Sequence, residues 1–142
     1  MKNLKQLISA KGNVVYSIGP DATVLDALKL MADKDVGALV VLEGERLVGM
    51  LSERDYARKV ILQGRYSQDV PVRAIMTADV VTVDPAKTVD ECMALVTQRR
   101  IRHLPVCEGD KLIGLVSIGD LVKETIAEQE QTIKQLESYI HS

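Results

Sequence analysis

Two hydrophobic rhythms alternate along this chain of 142 residues, and the same succession runs through it twice. A short β-branched stretch, Val14 to Ile18, stops at Pro20, a residue that cannot continue a central ladder. Thr23 then stands where a side-chain oxygen can cap a helix, with Asp26 three residues on. Val24, Ala27, Leu28 and Met31 follow at helical spacing. A nearly unbroken apolar run, Val36 to Leu42, predicts a strand buried on both faces. Glu43-Gly44-Glu45 turns the chain into a second strand, Leu47 to Leu51, and another helix begins after Ser52. From residue 80 the pattern restarts. Val80 to Val83 ends at Pro85, Thr88 and Glu91 open a helix carrying Val89, Cys92, Met93 and Val96, and Ile101 to Cys107 forms the apolar run. Glu108-Gly109-Asp110 is the turn, Leu112 to Val116 the next strand, and a helix follows Ser117. The predicted order is β-α-β-β-α, twice.

The residues repeat as well as the rhythm. Each match falls 65 positions downstream without insertion, and thirteen of forty-two positions are identical between 15–56 and 80–121. An internal repeat of this length marks a duplicated supersecondary unit. The polar connector from Gln63 to Pro71 is too short to let the copies act as separate beads. Ahead of the first copy, Leu4, Leu7 and Ile8 predict a short amphipathic helix.

Beyond Asp120 the last helix continues where the first copy's stopped. Val122, Ile126, Gln129, Ile133, Leu136 and Ile140 recur at spacings 4-3-4-3-4, a heptad seam broken once by an amide. A helix of about three heptads is marginal alone, so the stripe must pack, on its own domain or on a partner subunit; a homodimer contact is the favoured expectation.

Composition narrows the function. Eighteen basic and twenty acidic residues leave a formal charge of −2, and there is no Trp, no Phe and only four Tyr. Nucleic-acid binders draw affinity from phosphate neutralisation and, for single strands, from stacking aromatics, so nucleic acid is disfavoured. No apolar run approaches the roughly 18 residues of a membrane span, and the N-terminus has no secretory signal pattern; a cytoplasmic protein without membrane contact is expected. Cys92 and Cys107 lie in apolar settings and read as small core hydrophobes. With two distant His, neither a metal site nor a metal requirement is expected.

The candidate chemistry lies in the repeated element Gly-h-h-Ser-x-x-Asp, where h is apolar: Gly49 to Asp55 and Gly114 to Asp120. Each Gly marks either a close backbone approach or a simple bend. Ser52 and Asp55, like Ser117 and Asp120, share one face of a first helical turn. A carboxylate there can accept from both hydroxyls of a ribose, and the helix start favours a phosphate. The same residues also read as ordinary N-caps and first-turn acids.

At these residues the chain resembles a tandem CBS-domain pair, or Bateman module, of the stand-alone small bacterial type. The resemblance spans about residues 12–125. It rests on Ile75-Met76-Thr77 ahead of Val80 to Pro85, on Arg102-His103-Leu104-Pro105-Val106, and on the duplicated Gly-h-h-Ser-x-x-Asp. It implies an α/β fold of two β-α-β-β-α CBS repeats packed pseudo-symmetrically through their sheets, plus an extended C-terminal helix. The corresponding division is an N-terminal helix or arm at 1–13, repeat 1 at 14–64, a connector and start of repeat 2 at 65–78, repeat 2 at 79–125, and a helical extension at 126–142.

The resemblance further implies two clefts for an adenine nucleotide, AMP, ADP, ATP or NAD(H), each joining the Ser/Asp motif of one copy to early strands of the other. The first would comprise Ser52, Arg54, Asp55, Thr77, Val81, Ile101, Arg102 and His103. The second would comprise Gly12, Tyr16, Val36, Gly37, Ala38, Ser117 and Asp120. Adenine would lie on aliphatic side chains, ribose would meet the Asp, and phosphates would meet basic residues. Where the first copy has Glu53-Arg54 the second has Ile118-Gly119, and Gly12 replaces the Thr matched by Thr77. The clefts are therefore expected to be unequal, the second poorer in cations. His103 reads equally as a phosphate contact or a structural His, and Arg99-Arg100 as either phosphate ligands or a solvated helix end.

No phosphate-binding Gly-rich loop, nucleophile elbow or catalytic Cys/His pairing is present in the sequence. The expectation is a non-enzymatic sensor of cellular energy or redox state that signals by conformational or oligomeric change, either through an unidentified effector protein or within a small stand-alone sensor. The alternative is a structural adaptor that docks a partner by its C-terminal helix.

Overall fold

The computed structural model describes residues 2–12 and 14–141. Met1, Asn13 and Ser142, within the N-terminal arm and the C-terminal extension, lie outside the described residues. The chain divides into two compact units. One comprises Val14–Val81 with Asp110–Leu112; the other comprises Met1–Asn13, Thr82–Gly109 and Ile113–Ser142.

In the first unit, Thr23 caps helix α2 (Val24–Lys34), its hydroxyl accepting the Asp26 N–H at 3.1 Å. The helix ends at Asp35, whose φ of 54° is left-handed. Strands β2 (Ala38–Glu43) and β3 (Arg46–Ser52) pair antiparallel, with Leu39 opposite Leu51 and a bulge between Val41 and Leu42. Strand β1 is shorter than its β-branched run suggests, only Ser17–Ile18, parallel to Val40 and Val41 of β2. Val14 is exposed and pairs with no strand; without neighbour or burial, propensity alone does not make a strand. The apolar run around β2 is buried at Ala38, Leu39, Val40 and Val41 alike, which places both faces out of water.

The core joins Val24, Ala27 and Met31 of α2 to Leu39, Val41 and Leu51 of the sheet, with Val60, Val70, Val72 and Ile75. Helix α3 (Glu53–Tyr56) widens directly into a π-helical turn, Ala57–Ile61, with the Leu62 N–H donating to the Ala57 carbonyl at 3.1 Å. The polar connector is tied down at its far end. Val24 N–H donates to the Val70 carbonyl, and Val72 N–H to that of Ala22, each at 2.8 Å. Thr77 then bridges Met50, extending the edge of β3.

In the other unit, helix α1 (Leu4–Lys11) starts at an Asn3 capping box closed by Gln6 and buries Leu4, Leu7 and Ile8, the stripe its spacing predicts. Backbone hydrogen bonds fasten its start to the second repeat: Leu4 N–H to Lys87 carbonyl at 2.9 Å and Lys5 N–H to Pro85 carbonyl at 3.0 Å. Thr88 and Glu91 form the capping box of α4 (Val89–Arg99). Strands β4 (His103–Glu108) and β5 (Lys111–Ser117) pair, and Val83 adds one parallel bridge to Val106. The Val80–Val83 run contributes that bridge and no longer strand, since Asp84 and Pro85 turn the chain away at once. Helix α5 (Ile118–His141) completes the chain. Each unit thus holds one repeat together with the segment that leads into the other repeat.

Candidate functional site

The Gly-h-h-Ser-x-x-Asp elements form a matched pair of helix starts. In the first, the Ser52 Oγ accepts the Asp55 N–H at 3.2 Å, while Asp55 Oδ2 accepts the Ser52 N–H and hydroxyl, each at 3.0 Å. The N-cap reading holds: the capping box orients the carboxylate and fixes the first turn. In the second, Ser117 Oγ accepts the Asp120 N–H at 3.0 Å, and Asp120 Oδ2 accepts the Ser117 N–H at 2.8 Å. Asp55 and Asp120 are partly exposed, with 18% and 26% of their side-chain surface accessible.

Each carboxylate has a lysine. Lys59 Nζ lies 3.3 Å from Asp55 Oδ1 and donates to the Ile75 carbonyl at 2.8 Å. Lys11, at the end of α1, lies 2.6 Å from Asp120 Oδ2 and donates to the Leu115 carbonyl at 2.9 Å. Neither lysine belongs to the repeated Gly-h-h-Ser-x-x-Asp element. Lys59 is legible as an i,i+4 partner of Asp55. Lys11 is not, because 109 residues separate it from Asp120 and only the packing of α1 on the second repeat brings it there. The second motif, which lacks an Arg at the position of Arg54, thus receives its cation from a remote helix.

The glycines are close approaches, not simple bends. A Cβ on Gly49 would meet Met76 Sδ at 2.6 Å and the Thr77 carbonyl oxygen at 3.0 Å; one on Gly114 would meet Ile8 Cδ1 at 2.7 Å. The leading segment of the opposite repeat presses on each. Thr77, two strand positions from Ser52 through its pairing with Met50, exchanges hydrogen bonds of 2.8 and 2.9 Å with Met50.

The remaining expected residues are distributed between the units. Arg54, exposed in the first turn of α3, and Val81, half-buried, belong with Ser52, Asp55 and Thr77. So do Tyr16, Val36, Gly37 and Ala38 of the second expected set. Lys34 Nζ lies 5.6 Å from the Tyr16 ring centroid, and the Glu53 N–H donates to the Gly37 carbonyl at 3.1 Å. Val36 and Gly37 also line a shallow pocket of about 280 Å³ with Leu28, Met31, Ala32, Asp35 and Glu53. Gly12, the C-cap of α1 with a positive φ of 100°, belongs with Ser117 and Asp120. So do Ile101, Arg102 and His103, and the Arg102 carbonyl accepts the Ile118 N–H at 2.8 Å. Arg99 and Arg100 are the exposed end and left-handed cap of α4.

Charge couples Lys11, His103 and Asp120. Burial pushes the Asp120 carboxyl up, but the Lys11 ammonium and the Ser117 N–H outweigh it and hold the group below the ordinary carboxylate value. Burial lowers His103, with the charge of Lys11 acting the same way and Asp120 opposing. Lowered values mean that the unfolded chain binds more protons, so both groups favour folding more as pH rises. The His103 contribution is lost as pH falls from 6.5 through its lowered value, and that of Asp120 as pH falls from 3.8 through its own. Lys11→Met should raise both pKa values, which an NMR titration reads directly. A His103 titration unmoved by the substitution would contradict this coupling.

The duplication decides the family. A CBS-domain family model matches residues 11–62 and again 72–126. The chain belongs to the CBS-domain family. As a CBS pair it is a regulatory module. It is 45% identical over 137 residues to the Arabidopsis thaliana mitochondrial CBS domain-containing protein CBSX3, covering 93% of this chain and 66% of that one, just under two thirds. A solved CBS-domain protein from Burkholderia ambifaria, assigned to signal transduction, is 51% identical at a TM-score of 0.86, covering 90% of this chain and 96% of that one. A hexameric CBS-CP12 protein of bloom-forming cyanobacteria is 31% identical at a TM-score of 0.75, over 85% of this chain and 70% of that one. Among the described residues no helix of this CBS pair is long and apolar enough to cross a membrane.

Proposed function

We propose that this CBS pair senses an adenine nucleotide, of the AMP, ADP, ATP or NAD(H) class, through the two Ser-x-x-Asp motifs. The observation that carries the reading is the repeated placement of a partly exposed carboxylate at a helix start with a lysine bound to it. Ribose hydroxyls donate to the carboxylate, and Lys59 or Lys11 turns from carboxylate to phosphate. The helix N-terminus adds N–H groups and a favourable dipole for the anion. Binding becomes a signal only where the ligand prefers one arrangement of the protein over another. Cys92 and Cys107 are free thiols, which suits a reducing compartment such as the cytoplasm.

Calorimetry and thermal shift against AMP, ADP, ATP, NADH and S-adenosylmethionine test this. A ligand at a hundred times its Kd should stabilise the protein by about 2.7 kcal/mol. Asp55→Asn and Asp120→Asn retain an oxygen for the cap but lose the charge. Each should weaken its own site by about 1.5–3 kcal/mol, roughly ten- to a hundredfold in Kd. A structural adaptor is the competing reading, favoured by the exposed apolar stripe on α5. If none of the ligands shifts the transition, the adaptor reading stands and the sensor reading falls; if both variants titrate like the wild type, the motif assignment falls.

A further inference from the structure

Helix α5 presents two different faces. The first is used: Leu121 is fully buried, and Glu124, Thr125 and Glu128 beside it are half-buried. The second is not covered by this chain. Val122, Ile126, Ile133, Leu136 and Ile140 are 40%, 50%, 54%, 57% and 73% exposed. At about 100° per residue, this second stripe is centred roughly a quarter turn round the helix from Leu121. From Gln129 to His141 every residue is exposed.

We infer that the second face of α5 pairs antiparallel with α5 of another copy of this chain. The stripe is self-complementary in that direction. With the twofold axis at Gln131, Val122 meets the partner subunit's Ile140, Ile126 meets the partner subunit's Leu136, and Ile133 meets the partner subunit's Gln129. No seam residue is left overhanging. Residues flanking such a seam decide orientation through charge. In the antiparallel register Lys123 lies beside the partner subunit's Glu137, and the pair occurs twice by symmetry. Glu130 approaches its own copy at the centre, the one like-charge meeting. A parallel pair instead sets Thr125 and Thr132 against the partner subunit's Glu130 and Glu137 and forms no ion pair. Charge complementarity therefore selects the antiparallel arrangement and a second copy, rather than an unrelated protein, as the occupant.

Sedimentation velocity on the full chain tests the pairing, and a charge swap tests its direction. Ile133→Asp with Leu136→Asp should reduce the sedimenting mass by half, with an unchanged thermal transition reporting that the folded units persist. Lys123→Glu and Glu137→Lys should each weaken association severalfold, and the double swap should restore it. Within one helix these residues lie about 21 Å apart, so rescue reports contact between copies. Three results overturn the inference: a wild-type chain that is monomeric at about 100 µM, a mass unaffected by the aspartates, or single swaps that the double swap does not rescue. Glu130→Gln should strengthen the pair by removing the central repulsion; weakened association would also count against the register. Nucleotide binding plays no part in these measurements.

Discussion

Leu39→Ala should lower stability by about 2–5 kcal/mol, the range for emptying a fully buried leucine site. Leu39 is at 0% exposure in β2, paired across the ladder with Leu51 and packed in the cluster of Val24, Ala27, Met31 and Val41. Deleting it removes apolar burial and leaves a cavity. Urea denaturation followed by circular dichroism measures the loss. The matched control is Leu62→Ala, since Leu62 is 77% exposed; surface changes of this kind stay within about 0.5 kcal/mol. Equal midpoints for the two variants would refute the core assignment.

The second large effect is expected at the motif glycines. Valine at Gly49 puts a branched side chain onto the Thr77 carbonyl oxygen and the Met76 side chain. Met76 can swing aside; Thr77 cannot without giving up both hydrogen bonds to Met50. Valine at Gly114 drives into Cδ1 and Cγ1 of Ile8, which is only 5% exposed. Overpacking of this kind costs about 1–3 kcal/mol. Gly114→Val should also release α1, so that hydrogen exchange at residues 4–11 accelerates and Lys11 no longer reaches Asp120. Gly19→Ala is the control, because a Cβ there meets nothing within 4 Å. Protected α1 amides in Gly114→Val would show that the close approach is not what holds the helix.

Much of the architecture is legible in the residues because it is local. Thr23 and Thr88 cap helices where the spacing puts them, and both Ser-x-x-Asp elements close their first turns as the i,i+3 geometry requires. Strand ends are less legible. Val14 and the Val80–Val83 run have strand-like composition, but a strand needs a hydrogen-bonding neighbour, and composition does not say where one is. The open question about the C-terminal seam is answered in one respect: its own domain takes the Leu121 face and leaves the heptad stripe exposed.

The site was partly legible for the same reason. Ser52, Asp55, Ser117 and Asp120 announce themselves by repetition. The inequality drawn from Arg54 and Gly119 is written in the sequence; what the sequence does not show is that, as Lys59 joins the first motif, the second is joined by Lys11. That lysine comes from a helix at the other end of the chain.

The repeated α-β-β-α order, the helix caps and the two repeated carboxylates are therefore properties of the sequence, all set by interactions within a few residues or by a period read directly from the chain. It takes the folded chain to show that each repeat packs with the segment leading into the other, that Gly49 and Gly114 are pressed by Met76 and Ile8, and that Lys11 serves Asp120. Those pairings join residues tens to more than a hundred positions apart, and which surfaces meet is settled by burial of apolar faces, which no local pattern encodes.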